Sequence, residues 1–375
     1  MLDRRTFLRN TALAVSGLAV NAAGAATAPR ENPLPRWKGF NFLDFFVPDP
    51  SRARPATPAV MFEWMRDWGF DFVRVPMAYP VYLDIDYAQD ITPDDVYRID
   101  EGKVARVDAL VSAAHANGLH VSLNLHRAPG YCINAGFHEP YNLWRDQAAL
   151  DAFCYHWEMW AKRYAGIGSE LISFDLVNEP SWRDDMNDQF GKREALPPAT
   201  YHRVAKAATD AIRRVKPDAL IIADGNQGGH VAVPELADLD IAQSCRGYMP
   251  FNISHHKAPW VFRDPDALEI PQWPDGPGAD RAYLEEVYAP WFELIDAGVG
   301  VHCGECGCYK ETPHEVFLSW FRDVLDVLAT RDVGFALWEL RGDFGILDSG
   351  RADVDYEDWH GHSLDRKLLR LLQNA

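Results

Sequence analysis

The chain has 375 residues, 47% of them hydrophobic and 12% aromatic, which is ample for a large core, and no low-complexity tract points to disorder. A formal net charge of -18 argues against a nucleic-acid partner, whose phosphates it would repel. Six cysteines in so long a chain do not make a disulfide scaffold, and their pairing is not legible from spacing.

The N-terminus reads as an address. Asp3-Arg4-Arg5-Thr6-Phe7-Leu8-Arg9 is basic, a weakly apolar run covers 12–20, and the small residues Ala22-Ala23-Gly24-Ala25-Ala26-Thr27-Ala28 follow. Residues 1–28 therefore have the layout of a cleavable export signal, cut near 25–28. The paired arginines followed by Phe-Leu resemble a twin-arginine signal, which carries folded proteins to the periplasm or beyond. The alternative is an uncleaved anchor, for which the run is short and alanine-rich. No other segment is apolar enough for a bilayer span, so the mature chain, 29–375, is expected to lack an integral membrane segment.

Beyond the signal, strand and helix patterns alternate. Apolar, β-branched or aromatic runs fall at 38–43, 70–76, 119–125, 171–177, 219–223, 245–250, 299–304 and 333–338. Helical patterns lie between most of them, at 58–68, 104–117, 150–164, 201–215, 282–297, 313–329 and 364–372. Gly69, Gly118, Gly298 and Gly334 each sit just past a helix, where a left-handed residue ends it. Near-continuous apolar strands separated by helices imply a parallel sheet covered on both faces. This many units imply a closed α/β (β/α)8 TIM barrel in one domain. An open doubly wound sheet would carry a glycine-rich turn after its first strand, and Asn41-Phe42-Leu43-Asp44 is not one. Long segments at 78–103, 127–145, 181–198, 251–280 and 339–363 follow strands, so a barrel would gather them at its catalytic rim.

Chemistry is expected at two strand ends. Ser173-Phe174-Asp175-Leu176-Val177-Asn178-Glu179-Pro180 delivers Glu179 after the fourth strand, and Val301-His302-Cys303-Gly304-Glu305 delivers Glu305 at the seventh. Two carboxyl groups about 5–5.5 Å apart are the arrangement of retaining glycoside hydrolysis. One attacks the anomeric carbon and the other, its pKa raised by the neighbouring charge, serves as acid and then base. Such chemistry needs no cofactor. Cys303, Cys306 and Cys308 with His302 have zinc-like elements, but His302 and Cys303 point to opposite faces of a strand and a second cysteine pair is missing, so no metal is expected.

These motifs resemble glycoside hydrolase family 5, the cellulase-like clan of barrel enzymes, from about residue 37 to 372. The resemblance implies Glu179 as acid/base, Glu305 as nucleophile and Asn178 as the amide reaching a sugar hydroxyl. It also implies Arg74 as the arginine holding the nucleophile ionised, His126 as the histidine after the third strand, Tyr248 as a donor to the nucleophile, and Trp338 as a sugar platform. Arg246 stands where many relatives have a histidine, which keeps positive charge but changes reach and geometry. The rim tryptophans Trp144, Trp182, Trp260 and Trp273 are candidates for sugar stacking, Trp182 first among them, or for anchoring loops. His255, His256 and Lys257 are candidate sugar contacts. The expected partner is a carbohydrate: a β-1,4-glucan, a mannan or a hemicellulose side chain, cleaved internally or from an end. A non-catalytic carbohydrate-binding barrel and a transglycosidase are the alternatives.

Overall fold

The computed structural model describes residues 30–134 and 139–375; the export segment expected at 1–28 lies outside them. Eight parallel strands close on themselves: β1 (Lys38–Asn41), β2 (Phe72–Ala78), β3 (His120–Ala128), β4 (Ile172–Asp175), β5 (Leu220–Asp224), β6 (Ala242–Gly247), β7 (Val301–Cys306) and β8 (Gly334–Leu337). The closure is made by β1, which pairs with β2 through Gly39 and Phe72 and with β8 through Gly39 and Ala336. The fold is the expected (β/α)8 barrel. β2 and β3 are buried along their whole length, as continuous apolar runs require when helices cover one face and the barrel interior the other.

The helices longer than one turn among the described residues are α1 (Val60–Asp67), α2 (Glu101–Ala116), α3 (Gln147–Arg163), α4 (Pro198–Arg213), α5 (Arg281–Asp296), α6 (His314–Ala329) and α7 (Arg366–Asn374). Between β5 and β6 there is only a four-residue turn of helix, Asn226–Gly229, and the 3-10 segment Pro234–Leu239. Gly228, Gly229 and Pro234 break any longer helix there. Three of the four expected helix-ending glycines, Gly69, Gly118 and Gly298, have positive φ. Gly334 does not; Asp332 takes the left-handed conformation instead, at φ 51°. Gly334 lies in β8, where a Cβ would collide with the Trp37 backbone, so its role is close approach.

The pleat separates the barrel interior into two layers. Trp37, Phe72, Ile222, Ala242 and Ala336 form an apolar floor, and Trp37 stacks on His120 with centroids 4.0 Å apart. Two residues further along their strands, Phe72 gives way to Arg74, Ile222 to Asp224 and Ala242 to Ser244 followed by Arg246. Thus a strand period of two carries each chain from an oily base to a charged mouth. The expected sixth strand, 245–250, begins three residues earlier and ends at Gly247, because Gln243 and Ser244 mask the apolar pattern while Pro250 lacks a ladder donor.

In β7 the register slips: Cys245 pairs with Cys303, but Arg246 pairs with Glu305. His302 faces inward, against Phe72, and Cys303 faces the outer core. Strict alternation would send Glu305 outward with Cys303. The bulge at Gly304 turns it into the barrel mouth.

Candidate active site

Two buried arginines organise the mouth. Arg74, 1% exposed, donates from Nε to Asp175 at 2.7 Å, from Nη1 to Glu305 Oε1 at 2.6 Å and to Asn41 Oδ1 at 3.1 Å, and from Nη2 to Asn178 Oδ1 at 3.0 Å. Arg246, also 1% exposed, donates from Nε to Glu179 Oε1 at 3.0 Å and from Nη2 to Asn178 Oδ1 at 2.9 Å. Its fork clasps Asp224, with Nη1 to Oδ1 at 3.0 Å and Nη2 to Oδ2, and Nη2 also lies 3.4 Å from Glu305 Oε1. One guanidinium therefore touches both carboxylates that the sequence singled out. Gly304 makes room for this: a Cβ there would stand 2.5 Å from Ser244 Oγ and 3.4 Å from Arg246 Nη1.

Glu179 follows β4 in a left-handed conformation, φ 50°, which a non-glycine residue adopts only when its surroundings hold it. They do so here: its N–H donates to Asp224 Oδ2 at 2.9 Å, and Tyr131 Oη donates to its carbonyl at 2.7 Å. Tyr131 is carried by a short antiparallel return of the chain onto the end of β3. Burial, followed by the charge of Glu305, pushes the Glu179 carboxyl up to about 7, against the pull of Arg246. Burial and the Asp224 charge push Asp175 up to about 7 as well, whereas the two arginines hold Asp224 below its ordinary value despite burial. Four carboxyl groups thus share two guanidiniums, an excess of negative charge that favours keeping a proton in the cluster.

The remaining candidates divide by place. Tyr248 Oη donates to Glu305 Oε2 at 3.2 Å. Both arginines donate to Asn178 Oδ1, and this fixes the amide with its Nδ2 unbonded among the described residues. His126 packs between Phe46, at 4.5 Å, and Trp338, at 5.8 Å between centroids. Burial first, then Arg74 and Arg246, drive its imidazole down to about 3, so it is neutral. Trp338 is half-buried at the end of β8 and meets Phe46 edge-on.

The loop aromatics are placed differently. Trp182 has the Arg145 guanidinium over its ring at 4.4 Å and is tied through its backbone to Glu194. Trp144 is buried against Tyr131 and Tyr201, and Trp273 is buried with Nε1 donating to Asp323 at 2.8 Å; both anchor loops. Trp260 is exposed beside Tyr309. His255 packs on Tyr248 and Phe344, His256 is buried, and Lys257 takes a left-handed turn at φ 58°. All six cysteines are free thiols; Cys245, Cys303 and Cys306 lie together in the core behind Glu305. Among the described residues no three His, Cys, Asp or Glu side chains converge to hold a metal ion.

Sequence reasoning missed Asp224, Asp175 and Asn41. Asp224 stands one residue beyond the run read as the fifth strand, at the same kind of strand end as Glu305. A buried Arg246 needs a counter-charge, and that requirement was the available signal.

Residues 24–343 match the family model for cellulase, glycosyl hydrolase family 5. The chain belongs to this family. A solved structure of a glycoside hydrolase is 36% identical, with a TM-score of 0.81, over 90% of this chain and 99% of that one. Endoglucanase C of Acetivibrio thermocellus is 24% identical over 326 residues, covering 79% of this chain and 87% of that protein. Cellodextrinase A of Ruminococcus flavefaciens is 24% identical over 276 residues, covering 71% and 73%. The chain is accordingly a cellulase-like glycosidase with a carbohydrate substrate, and no described helix is long and apolar enough to cross a membrane.

Proposed function

We propose that this family 5 enzyme is an exported, retaining β-glycosidase acting on a β-1,4-linked glucan or its oligosaccharides. The observation that carries the mechanism is Arg246 touching Glu179 at 3.0 Å and Glu305 at 3.4 Å, which sets both carboxyl groups at one mouth. Glu305, held by Arg74 and Tyr248, attacks the anomeric carbon. The bond to the leaving oxygen breaks as Glu179 gives that oxygen its proton. A covalent glycosyl-Glu305 ester results. Glu179, now a carboxylate, takes a proton from water, whose oxygen attacks the same carbon and releases Glu305 with net retention.

Asn178, its carbonyl pinned by both arginines, offers Nδ2 to a sugar hydroxyl. His126 offers a neutral ring, and Trp338 gives the apolar face of the sugar a surface. The names of the relatives, endoglucanase and cellodextrinase, support a β-glucan substrate. Arg4-Arg5 and the alanine-rich run support twin-arginine export, and six free cysteines suit a protein that folds in a reducing compartment first.

Proton NMR of cellooligosaccharide hydrolysis tests the mechanism. The β-anomer should appear first and mutarotate later; early α-anomer would exclude a double displacement. For export, replacing both arginines of the pair by lysine should trap the enzyme in the cytoplasm. Unchanged secretion would remove the twin-arginine route.

A further inference from the structure

We infer that Asp224 is a positioning residue that sets the protonation of Glu179 through Arg246, so that the Asp224–Arg246 pair does the work of tuning the acid/base group. This rests on the reading of Glu179 as the proton donor. The geometry carries it in three contacts: the Asp224 carboxylate is gripped by both terminal nitrogens of Arg246, Arg246 Nε reaches Glu179 Oε1, and Asp224 Oδ2 also accepts the Glu179 backbone N–H. Asp224 is fully buried with no exposure to solvent, so its charge acts on neighbours nearly unscreened.

The direction follows from the charges facing the cluster. β2 contributes Arg74, β4 Asp175 and β6 Arg246, while Glu305 comes from β7. The hydroxyls of Tyr131, Tyr201 and Tyr248 also face the cluster, with Tyr201 donating to the Asp224 carbonyl at 2.6 Å. His126 and His230 lie near Arg246, and burial keeps both imidazoles neutral, each pushed down to about 3. With Asp224 ionised, Arg246 is largely neutralised and attracts the Glu179 anion weakly. Without that charge the full guanidinium turns on Glu179 and favours its deprotonated form.

The test is the pH profile of kcat/KM for Asp224→Asn on an unactivated cellooligosaccharide and on an aryl glycoside with an activated leaving group. The alkaline limb seen with the oligosaccharide should move down by about one pH unit, and Asp224→Glu should bring it back toward the wild-type position. A limb unmoved in Asp224→Asn overturns the inference. If that variant does not fold, the charge-neutral pair Asp224→Asn with Arg246→Gln is measured. A limb within a few tenths of the wild type supports charge compensation, and one displaced by a full unit overturns it. Failure of the underlying reading looks different: the wild type itself would then show no alkaline limb that depends on the leaving group.

Discussion

Arg74 Nη1 lies 2.6 Å from Glu305 Oε1, and the side chain that makes this contact is almost wholly buried. The pair joins β2 to β7 across the barrel mouth, so the side chain that holds the Glu305 carboxylate in place is also a structural tie. Removing it leaves Glu305 and Asp175 buried without their main counter-charge. Arg74→Ala should lower stability by about 3–5 kcal/mol. Urea unfolding at neutral pH measures this.

The two glutamates should separate by leaving group. Glu305→Ala should abolish turnover, with azide restoring part of it and giving an inverted glycosyl azide, because the space left by the removed side chain would admit a small nucleophile on the face opposite the leaving group. Glu179→Ala should cost most on natural glycans and least on activated aryl glycosides, which leave without a proton. Equal losses on both substrates would contradict the acid/base role.

Glu179 also makes a prediction about stability against pH. Its folded pKa is raised to about 7, above the unfolded value, so its contribution is fully present below the unfolded pKa of about 4.3 and is lost as pH rises through 7. Glu179→Gln removes that loss. The variant should melt at a higher temperature than the wild type at pH 8 and near the same temperature at pH 4. Calorimetry at the two pH values checks the sign.

Gly304→Ala should damage both fold and rate. The new methyl group would meet Ser244 Oγ at 2.5 Å in a fully buried layer, and relief would require turning that hydroxyl away from Arg246 Nη1, which donates to it at 3.0 Å, or straightening the bulge that aims Glu305. Overpacking of this kind costs about 1–3 kcal/mol. A fall in kcat exceeding that in stability, with KM little changed, would mark displacement of Glu305.

The amino-acid sequence by itself determined the barrel and the two acids. Strand and helix periods are local, repeated through the chain, and tied to burial on two faces, so they survive without coordinates. Glu179 and Glu305 were legible because each stands at or just past the carboxyl end of an apolar strand pattern, the end where a barrel opens. The tertiary structure decided the rest. Asp224 became part of the site only when β5 and β6 were laid side by side, which brought its carboxylate into the fork of Arg246. Trp144 and Trp273 looked like rim aromatics until packing turned them inward, since a tryptophan in a loop has the same letters whether it faces a sugar or the core. The inward aim of Glu305 depends on a one-residue slip between β6 and β7. A slip of that kind is a relation between strands, and no single strand's pattern contains it.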